Sequence, residues 1–506
     1  VYAGHEYLPF QFLSRRTNYR GDAYGGSLEN RARLLREMIE DTKEAVGDTC
    51  AVAVRLAVDE LHGPEGITSA GEGREIIEML AELPDLWDVN VAGALGNDSR
   101  SARFSAEGFQ EENVAFVKSL TSKPVVSVGR FTSPDRMVSQ IRRGVQDFIG
   151  AARPSIADPF LPAKIREGRE DEIRECIGCN ICRAANNEGV GLRCTQNPTM
   201  GEEWRRGWHP ERIAVHPKRE KALVIGGGPA GLEAALTLGR RGLEVSLAEA
   251  SDQFGGRLLR EAMLPGLATW MRVRDWRLHM IGKLANVELF LASRMGVEDI
   301  AEFGADHVVL AAGSTWRRDG VGVYAIRPTA LPRALTPEDV FAGANVSGPV
   351  VIYDDEHYFM AGALAEKLAV AGHEVHYVTT APLASSWTVM TNEQDFLQAR
   401  LIVAGVRLHP LKALKSQATG EARLACVYTG REETLPCGTL VLCTGRLPDT
   451  VLFDALTAQG ITATRVGDCL APSSIADAVH SAHRFARLLG APDLPPRRER
   501  APERSL

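Results

Sequence analysis

The 506-residue chain has no long hydrophobic run and no excess of basic residues. No stretch approaches the roughly 18 uncharged apolar residues that a membrane-spanning helix needs. The formal net charge is −7, and the sequence contains no basic stripe that could neutralise nucleic-acid phosphates. We therefore expect neither a membrane span nor a nucleic-acid partner.

The chain also lacks a disulfide framework. Four of its nine cysteines are clustered between residues 176 and 194, and the other five are scattered: Cys50, Cys426, Cys437, Cys443 and Cys469. An odd number of cysteines without paired spacing is typical of a reducing compartment, so we expect a cytoplasmic protein. A hydrophobic content of 44% over this length is enough for about three domains.

The clustered cysteines lie in the sequence CIGCNICRAANNEGVGLRC, with two, two and eleven residues between successive cysteines. Three thiolates at this spacing, in a tight turn opened by Gly178, can converge on three corners of a cubane, and a fourth cysteine closes it. Zinc remains an alternative, although its sites usually consist of two separated C-x2-C pairs or mixed Cys/His sets. The spacing favours a [4Fe–4S] cluster bound by Cys176, Cys179, Cys182 and Cys194.

Strand and helix patterns alternate over the first 170 residues. Strands are predicted over residues 51–58, 87–92, 124–128 and 147–151, and helical segments include 31–46 and 114–120. Such units predict a TIM barrel, in which the chemistry lies at the carboxyl ends of the strands. Only four units are recognisable, and the chain begins at Val1 without a methionine, so we expect a piece of a longer protein whose barrel pocket is incomplete and inactive.

Polar residues follow the predicted strands where a flavin phosphate would be held in such a barrel. Gly129 and Arg130 follow one strand, and Ala151, Ala152 and Arg153 follow the next. Arg55 ends an earlier strand, where its guanidinium could reach an anionic flavin ring. The alternative is that these arginines form ordinary surface ion pairs.

The second half opens with a dinucleotide-binding pattern. In ALVIGGGPAGLEAALTLGRRGLEVSLAEA, a strand leads into Gly226, Gly228 and Gly231, then a helix, then a second strand that ends at Glu249. Glycines allow a pyrophosphate to approach the helix N-terminus, and the acid can accept hydrogen bonds from a ribose. The pattern is completed by Gly256, Arg257, Gly313, Gly467 and Asp468.

A second nucleotide-binding pattern is present between these parts but is altered. The strand 349–353 and the helix 361–371 are joined by Asp-Asp-Glu-His-Tyr at 354–358, where a phosphate cradle needs glycines. Carboxylates would repel a pyrophosphate and bulky side chains would block its approach. We therefore expect a domain that has lost NAD(P)H, and an exposed acidic turn would lead to the same conclusion.

Several motifs together resemble the trimethylamine dehydrogenase branch of the old yellow enzyme superfamily: GRFTSPD, ARPSIADPFLPAKI, CIGCNICR, RCTQNPTMGEEWRRGWHPER and GGGPAG. The resemblance extends to about residue 490, and it is closest to the dimethylglycine and stachydrine demethylases. It implies FMN in the barrel, a [4Fe–4S] cluster on the four cysteines, and ADP or FAD in the Gly226 domain. By the same resemblance, Tyr2, His5 and Asp98 lie at the substrate amine and Arg55 lies beside the flavin.

The resemblance also predicts a fold and its boundaries. We expect an α/β protein in which residues 1–170 form strands five to eight of an FMN-type barrel, followed by an iron–sulfur segment over 171–215. Two interleaved Rossmann-like domains follow: an ADP- or FAD-binding domain over 216–330 and 446–490, and a degenerate NAD-type domain over 331–445. Residues 491–506 are predicted to form a disordered tail.

The implied reaction is oxidative N-demethylation of a methylated amine or N-methyl amino acid, with electrons leaving through the cluster to an external flavoprotein or ferredoxin-like protein. Asn186 and Gly96–Asp98 replace family aromatic residues, which favours a substrate with a polar group of its own. Two alternatives remain: an NAD(P)H-dependent dienoyl-CoA or enoate reductase, and a non-catalytic electron-transfer fragment. A homo-oligomer is expected.

Overall fold

The computed structural model describes residues 1–92 and 98–490, and its chain divides into two compact units. The first unit contains Val1–Asn197, Ala262–Trp270 and Arg318–Gly445. The second contains Pro198–Glu261, Met271–Arg317 and the described residues from Arg446 onwards. Among the described residues, no helix is long and apolar enough to cross a bilayer. The predicted tail lies outside the described residues.

The first unit begins with alternating strands and helices. They are β1 (Tyr2–Ala3), α1 (Leu8–Leu13), α2 (Leu28–Val46), β2 (Ala53–Asp59), α3 (Glu72–Leu80), β3 (Leu86–Val91), α4 (Glu111–Val114), β4 (Val125–Val128), α5 (Pro134–Arg142), β5 (Phe148–Gly150), α6 (Ala152–Ala157) and α7 (Leu161–Arg166). The strands form one parallel sheet in chain order, β1 to β5. Their carboxyl ends therefore share one edge, where polar side chains can meet.

The helices of this region bury one face against the sheet. Helix α2 begins at the N-cap Ser27, whose side chain accepts a hydrogen bond from the Asn30 amide, and it buries Ala32, Leu35 and Ile39. These side chains join the strand residues Val54 and Leu56 and others in one hydrophobic core. Helix and sheet therefore share one hydrophobic core on this side.

The four predicted strands lie within two residues of the observed ones, but two features differ. The fifth strand, β1, has only two residues, too few for a periodic pattern to reveal it. The segment predicted as a helix over 114–120 instead ends one short helix at Val114 and then forms a single 3₁₀ turn over Val117–Ser119. Its apolar spacing over seven residues is too short to specify an α-helix.

The cysteine-rich segment and the following linker carry two short helices, α8 (Ile181–Asn187) in the first unit and α9 (Glu203–Arg206) in the second. The second unit continues with β6 (Lys221–Ile225), α10 (Pro229–Arg240), β7 (Glu244–Ala248), α11 (Leu258–Glu261), α12 (Arg272–Gly282), β8 (Val287–Phe290), α13 (Val297–Phe303), β9 (His307–Leu310) and β10 (Ser314–Trp316).

The remaining part of the first unit contains α14 (Pro337–Phe341), β11 (Val350–Asp354), α15 (Phe359–Val370), β12 (Val375–Thr379), α16 (Gln394–Val403), β13 (Arg407–His409), β14 (Lys412–Ala418), β15 (Gly420–Cys426), β16 (Glu432–Cys437) and β17 (Thr439–Cys443). Parallel strands are ordered β13-β12-β11-β17, and β14-β15-β16 form an antiparallel sheet. Strands β11, β12 and β17 are buried throughout, as expected for a sheet covered on both faces.

The second unit is completed by β18 (Arg446–Pro448), α17 (Val451–Ala458), β19 (Thr464–Arg465) and α18 (Ile475–Leu488). Its parallel sheet has the order β19-β9-β6-β7-β8, and β10 pairs with β18 in a separate antiparallel ribbon. Helix α10 is buried along almost its whole length, because α12 and α18 cover the faces that the sheet does not. Its N-terminus directly follows β6, which is the arrangement of a dinucleotide-binding fold.

Candidate active site and cofactor sites

A cleft with about 920 Å³ of empty space, part of it open to solvent, lies in the first unit at the polar edge of the β1–β5 sheet. It is lined by every predicted catalytic residue and every predicted FMN-binding residue: Tyr2, His5, Arg55, Asp98, Gly129, Arg130, Ala151, Ala152 and Arg153. Parallel strands present their ends at one edge, so residues up to 150 positions apart in sequence converge.

The catalytic group predicted by resemblance forms a connected chain of side chains. His5 Nε2 lies 3.1 Å from Asp98 Oδ1, and both side chains are only about one-tenth exposed. Tyr2 hydrogen-bonds through its hydroxyl to the other ring nitrogen of His5. Asn90 adds a long 3.5 Å contact from its amide nitrogen to Asp98. An imidazole held between a carboxylate and a phenol has a fixed orientation and a defined proton position.

The charges of this group are set by burial and by its neighbours. Burial by itself would raise the pKa of Asp98, but the hydrogen bond and charge of His5, together with Arg55, hold that pKa below its usual value. Partial burial raises the pKa of Tyr2, although Arg55 opposes the rise. Near neutral pH, Asp98 is therefore an anion beside His5 and Tyr2 is a neutral phenol.

Arg55 is held on β2 by a residue that the sequence did not single out. Asp88 is its direct neighbour on β3 and accepts a 2.8 Å hydrogen bond from the Arg55 guanidinium. Burial raises the pKa of Asp88 against the opposing charge of Arg55. The guanidinium also lies over the Tyr2 ring, 5.9 Å from its centroid. Sequence spacing could not reveal this pair, because only sheet register makes the two residues neighbours.

Two arginines mark the loops after β4 and β5. Arg130 has φ +60° and donates from Nε to the Ser105 carbonyl at 3.1 Å. Arg153 donates to the Arg100 carbonyl at 2.8 Å and to the side chain of Asn180. These contacts are with neutral carbonyl and amide oxygens, so they do not support the surface ion pairs considered as the alternative.

The predicted substrate-pocket residues are only partly in place. Asn186 is exposed and is not among the residues that line the cleft, whereas Arg183, one turn earlier on α8, is. Gly96 and Asn97 lie outside the described residues. Arg183 went unnoticed in the sequence because it stands between cluster cysteines and attracts no motif of its own.

The four clustered cysteines line a single cavity with about 300 Å³ of empty space. Within residues 1–92 and 98–490, no three His, Cys, Asp or Glu side chains are spaced to hold a single metal ion. One zinc ion needs sulfur atoms about 2.3 Å from a common centre, whereas a cubane holds its four cysteines further apart. Four thiols around one cavity are the ligand set that a [4Fe–4S] cluster needs.

The cysteine turn is shaped around this cavity. Gly178 has φ +63°, and a Cβ atom there would lie 2.7 Å from the Ala102 nitrogen, so no other residue fits. Its amide donates to Cys176 Sγ at 3.3 Å, and Cys179 Sγ lies 3.1 Å from the Thr195 hydroxyl. Burial raises the pKa values of Cys179, Cys182 and Cys194 to about 12. Positive metal centres would be needed to hold such thiols as thiolates.

The predicted dinucleotide glycines surround the N-terminus of α10 in the second unit. A Cβ atom at Gly231 would lie 1.8 Å from the Gly226 carbonyl oxygen, so helix and strand can approach only without a side chain. Gly228 is the N-cap residue of α10, and the Gly227 amide donates to Glu249 at 2.6 Å. Gly256 lies against Gly228, where its own Cβ would be 3.1 Å from the Gly228 Cα.

The other predicted residues of this unit meet around Asp468. Its carboxylate lies 3.5 Å from Arg257 and accepts hydrogen bonds from Ser314 at 3.1 Å and Arg446 at 2.7 Å. Gly467 packs next to Ala230 of α10, and Gly313 faces open space. The sequence did not identify Arg446 or Ser314, which come from the antiparallel ribbon β10–β18.

The acidic turn at 354–358 has a different structure from the exposed one considered above. Asp354 and Asp355 are completely buried. Asp355 accepts hydrogen bonds from the Ala325 amide at 2.9 Å and from Thr380 at 3.0 Å, and the Asp354 carboxylate accepts one from the His357 amide at 2.8 Å. Burial lowers the pKa of His357, but the two carboxylates raise it overall, to about 9.

Aromatic side chains occupy the N-terminus of the helix that follows this turn. The Tyr358 ring contacts Phe359 and Trp387, with centroids 4.8 Å and 4.6 Å apart, and Phe359 also contacts Trp270 at 4.9 Å. A pyrophosphate normally sits at this helix end on bare backbone amides. At this helix end, buried carboxylates and aromatic side chains occupy the place of a pyrophosphate. Repulsion by carboxylates at the surface is therefore not the cause.

Comparison with known proteins assigns the two kinds of domain. Residues 1–172 match the NADH:flavin oxidoreductase / NADH oxidase family. Residues 188–325 and 220–470 match the pyridine nucleotide-disulphide oxidoreductase family. The α/β architecture with an FMN-type domain and a dinucleotide-type domain is thereby confirmed.

The chain is 38% identical to dimethylamine dehydrogenase of Hyphomicrobium sp. (strain x), over 96% of this chain and 72% of that protein. The chain belongs to the trimethylamine dehydrogenase branch of the old yellow enzyme superfamily. It is also 30% identical to N,N-dimethylglycine/sarcosine dehydrogenase of Chromohalobacter salexigens, over 96% of this chain and 75% of the relative. The structure of histamine dehydrogenase from Rhizobium sp. 4-9 superposes with a TM-score of 0.95 at 47% identity, over 98% of this chain and 74% of that one.

Membership of the trimethylamine dehydrogenase branch confirms the predicted family and makes this chain an oxidoreductase with an FMN-type domain. Relatives named as amine dehydrogenases cover almost all of it, so the reductase alternative has less support. The comparisons give no support to the expectation that the chain is inactive.

Proposed function

We propose that this enzyme oxidises a small N-methylated amine or N-methyl amino acid and releases the methyl group as formaldehyde. The observation that carries the proposal is the convergence of Tyr2, His5 and Asp98 with the arginines of the two phosphate-type loops in one cleft. A catalytic side-chain group and an anion-binding group at one sheet edge are what a flavin-dependent oxidation requires.

The reaction balances as a two-electron oxidation. The substrate N-methyl group loses a hydride equivalent, the resulting iminium adds water, and formaldehyde, the demethylated amine and one proton are released. Bound FMN would supply the two-electron acceptor, and a [4Fe–4S] cluster would supply single-electron exit to an external protein. The residues Arg130, Arg153 and Gly129 would hold the flavin phosphate, Ala151 and Ala152 would give it backbone contacts, and Arg55 would lie at the ring.

The side chains of the cleft would prepare the amine. An amine is reactive towards oxidation only with its nitrogen lone pair free, so its proton must be removed or excluded. His5 Nε2 faces Asp98, so His5 can accept that proton at Nδ1 through the Tyr2 hydroxyl bonded to this atom, and the Asp98 anion stabilises the imidazolium that forms. Proton transfer of this kind contributes a factor of about 10²–10⁴ in rate.

The cysteine cavity supports a cluster bound by Cys176, Cys179, Cys182 and Cys194, and the second unit supports ADP or FAD around Gly226 and Gly231. Arg153 lines both the cleft and the cysteine cavity, so the two sites are adjacent within the first unit. Adjacent sites suit electron transfer from one to the other. A small electron-transfer flavoprotein or ferredoxin-like protein would be the acceptor, in a cytoplasmic homo-oligomer.

The test is reduction of the flavin by amines under anaerobic conditions, with formaldehyde as the product assayed. Trimethylamine, dimethylamine and dimethylglycine form the panel, and a proline betaine, whose quaternary nitrogen has no lone pair, is the control that should not reduce the flavin. Bleaching of the flavin with stoichiometric formaldehyde supports the proposal. Re-oxidation of the reduced flavin by an α,β-unsaturated ester, with no amine able to bleach the oxidised flavin, would contradict it.

NADH and NADPH are expected to reduce the holoenzyme at least about 100-fold more slowly than the best amine. The closed turn at 354–358 must lose several hydrogen bonds before a dinucleotide can enter, and every 1.4 kcal/mol of such cost lowers binding about tenfold. Stopped-flow absorbance of the flavin measures both rates. Faster bleaching by NADPH than by every amine would reverse the assignment in favour of the reductase.

Gly231→Ala is expected to release the adenine nucleotide from the second unit and to destabilise it by about 1–3 kcal/mol. The new methyl group would collide with the Gly226 carbonyl and push α10 away from β6. Nucleotide released by denaturation can be quantified chromatographically, together with the melting temperature. Gly282→Ala is the matched control, because that helical glycine has open space around it and should tolerate the change. Full nucleotide retention in Gly231→Ala would refute the site.

A further inference from the structure

Arg183 is the cleft-lining arginine that the proposed mechanism does not use. It follows Cys182 on α8 and lines the same cleft as Tyr2, His5 and Asp98. Its backbone amide is bound to the Asn180 carbonyl, so its main chain belongs to the turn that shapes the cysteine cavity. Arg183 lines the cleft, in contrast, and is not among the residues that line the cysteine cavity.

The Arg183 guanidinium has no partner in the described part of the chain. It forms no ion pair or side-chain hydrogen bond there, and its Nε atom is buried without a hydrogen-bond partner. A buried donor left without an acceptor costs about 1–3 kcal/mol, and more when it is charged. Such a group is retained where a ligand supplies the missing acceptor.

The other cleft arginines differ from Arg183 in this respect. Arg55 is paired with Asp88, and Arg153 is fixed by the Arg100 carbonyl and by Asn180. Arg130 and Arg153 both follow strand ends at the phosphate-type loops, where two positive charges are enough to neutralise a flavin phosphate. Arg183 lies on helix α8 instead, so its charge is available to an anion other than the flavin phosphate.

The helix that carries Arg183 is rigidly placed. At the C-terminal end of α8, Asn187 donates to the Met390 carbonyl at 2.8 Å and Glu188 accepts from the Trp387 indole at 2.8 Å. At its N-terminal end, Asn180 donates to the Thr391 carbonyl at 2.8 Å. Both ends of α8 are therefore attached to one loop of the first unit. A side chain on such a helix can discriminate between substrates, because its position does not adjust freely.

We propose that Arg183 binds the carboxylate of an N-methylated amino acid while the methylated nitrogen of that substrate lies at His5 and Asp98. The proposal rests on the function proposed above and names its substrate class. A planar guanidinium matches a carboxylate in a bidentate pair, and a charged hydrogen bond of this kind contributes about 1.5–3 kcal/mol. The same positive charge disfavours a bare alkylammonium ion, which brings no compensating anion.

Binding of N,N,N-trimethylglycine to the oxidised holoenzyme tests the site without turnover, because its quaternary nitrogen has no lone pair to support oxidation. The dissociation constant is measured from the change in flavin absorption. Arg183→Gln is expected to raise it about 10- to 100-fold, and Arg183→Lys by less. Arg166→Gln, at an exposed arginine on α7, is the matched control and should bind as the unchanged protein does.

Turnover supplies the second measurement. For dimethylglycine, Arg183→Gln should lower kcat/KM at least about tenfold, mainly through KM, while kcat/KM for dimethylamine should stay the same or rise, because the repelling charge is removed. Extending the substrate to dimethyl-β-alanine and 4-dimethylaminobutyrate reports the spacing between the carboxylate and the nitrogen. Equal losses for dimethylglycine and dimethylamine would mean a structural role and would overturn the proposal.

Further outcomes distinguish a substrate carboxylate from the flavin phosphate as the anion bound by Arg183. They also distinguish failure of the carboxylate site from failure of the proposed oxidation. Loss of FMN from Arg183→Gln, measured by flavin released on denaturation, would assign Arg183 to the flavin phosphate and overturn the inference. If no amine reduces the flavin but trimethylglycine binding still depends on Arg183, the proposed oxidation fails while the carboxylate site stands. Absence of trimethylglycine binding to the unchanged holoenzyme would overturn the site itself.

Discussion

Cys179→Ser is expected to leave the protein without its iron–sulfur cluster. Protein purified anaerobically should contain about four iron atoms per chain and negligible zinc, and the substitution should reduce the iron to background. The reason is geometric: Cys179 is one of four thiols around a single cavity, and a serine hydroxyl is a much poorer ligand for iron than a thiolate. Iron analysis and the visible absorption spectrum measure the result.

The control for this experiment is Cys50→Ser. Cys50 is an exposed cysteine outside the cavity, so its replacement should leave the iron content unchanged. Stoichiometric zinc without iron in the unchanged protein would favour the tetrahedral zinc site instead. Retention of a full cluster in Cys179→Ser would remove that residue from the ligand set.

Asp98→Asn is expected to slow reduction of the flavin by amines about 10²- to 10³-fold while leaving FMN bound. The asparagine keeps the shape of the side chain but cannot stabilise a protonated His5, which lies 3.1 Å away. Because the pKa of Asp98 is held below its usual value, this carboxylate stays ionised throughout the neutral and mildly acidic range. Any acid limb of the pH profile near neutrality must therefore come from another group.

Stopped-flow kinetics from pH 6 to pH 9 would measure this effect. Asp22→Asn is a suitable control, since Asp22 is exposed and contacts its neighbour Arg20 and the Tyr24 amide in a surface turn. A rate for Asp98→Asn within about threefold of the unchanged enzyme across the range would exclude the assigned role. Loss of FMN would show that the residue holds the pocket together rather than acting on the proton.

Regular elements were predicted well where hydrophobic periodicity is long. Strands β2 to β5 and helix α2 follow directly from apolar spacing, because each must bury a face or a stripe. The strand β1 and the short helices around Val114 and Ile181 did not follow, since two to seven residues carry too little periodic signal. Their positions depend on contacts with neighbours that are distant in sequence.

Residues with strict local geometry were also predictable. The cysteines are spaced for one turn around Gly178, and the glycines from Gly226 to Gly231 belong to a strand–turn–helix unit in which any larger side chain would collide. The spacing of such motifs is short, so the chain's own stiffness fixes their relative positions. The proposed catalytic residues Tyr2, His5 and Asp98 were different, because only resemblance to a family predicted that they lie together.

The acidic turn shows the limit of reasoning from side-chain type. Three carboxylates in sequence suggested an exposed, repulsive surface, yet Asp354 and Asp355 are buried and satisfied by His357, Thr380 and the Ala325 amide. The prediction that this domain does not bind NAD(P)H stays the same, but it now depends on occupation of the turn by its own side chains rather than on repulsion. A buried carboxylate is tolerated only with such partners, and the partners come from separate segments.

The sequence by itself determined the class of this protein: its parallel strands, its cysteine turn, its nucleotide glycines and its family. Those features depend on periodicity and on short spacings, which are written within a few dozen residues. The tertiary structure decided which charges stand alone and which are paired. Arg55 meets Asp88 through sheet register, whereas the Arg183 Nε at the cleft has no acceptor among the described residues. Pairing of charges depends on distances between remote segments, and only the folded chain brings these to within hydrogen-bonding range.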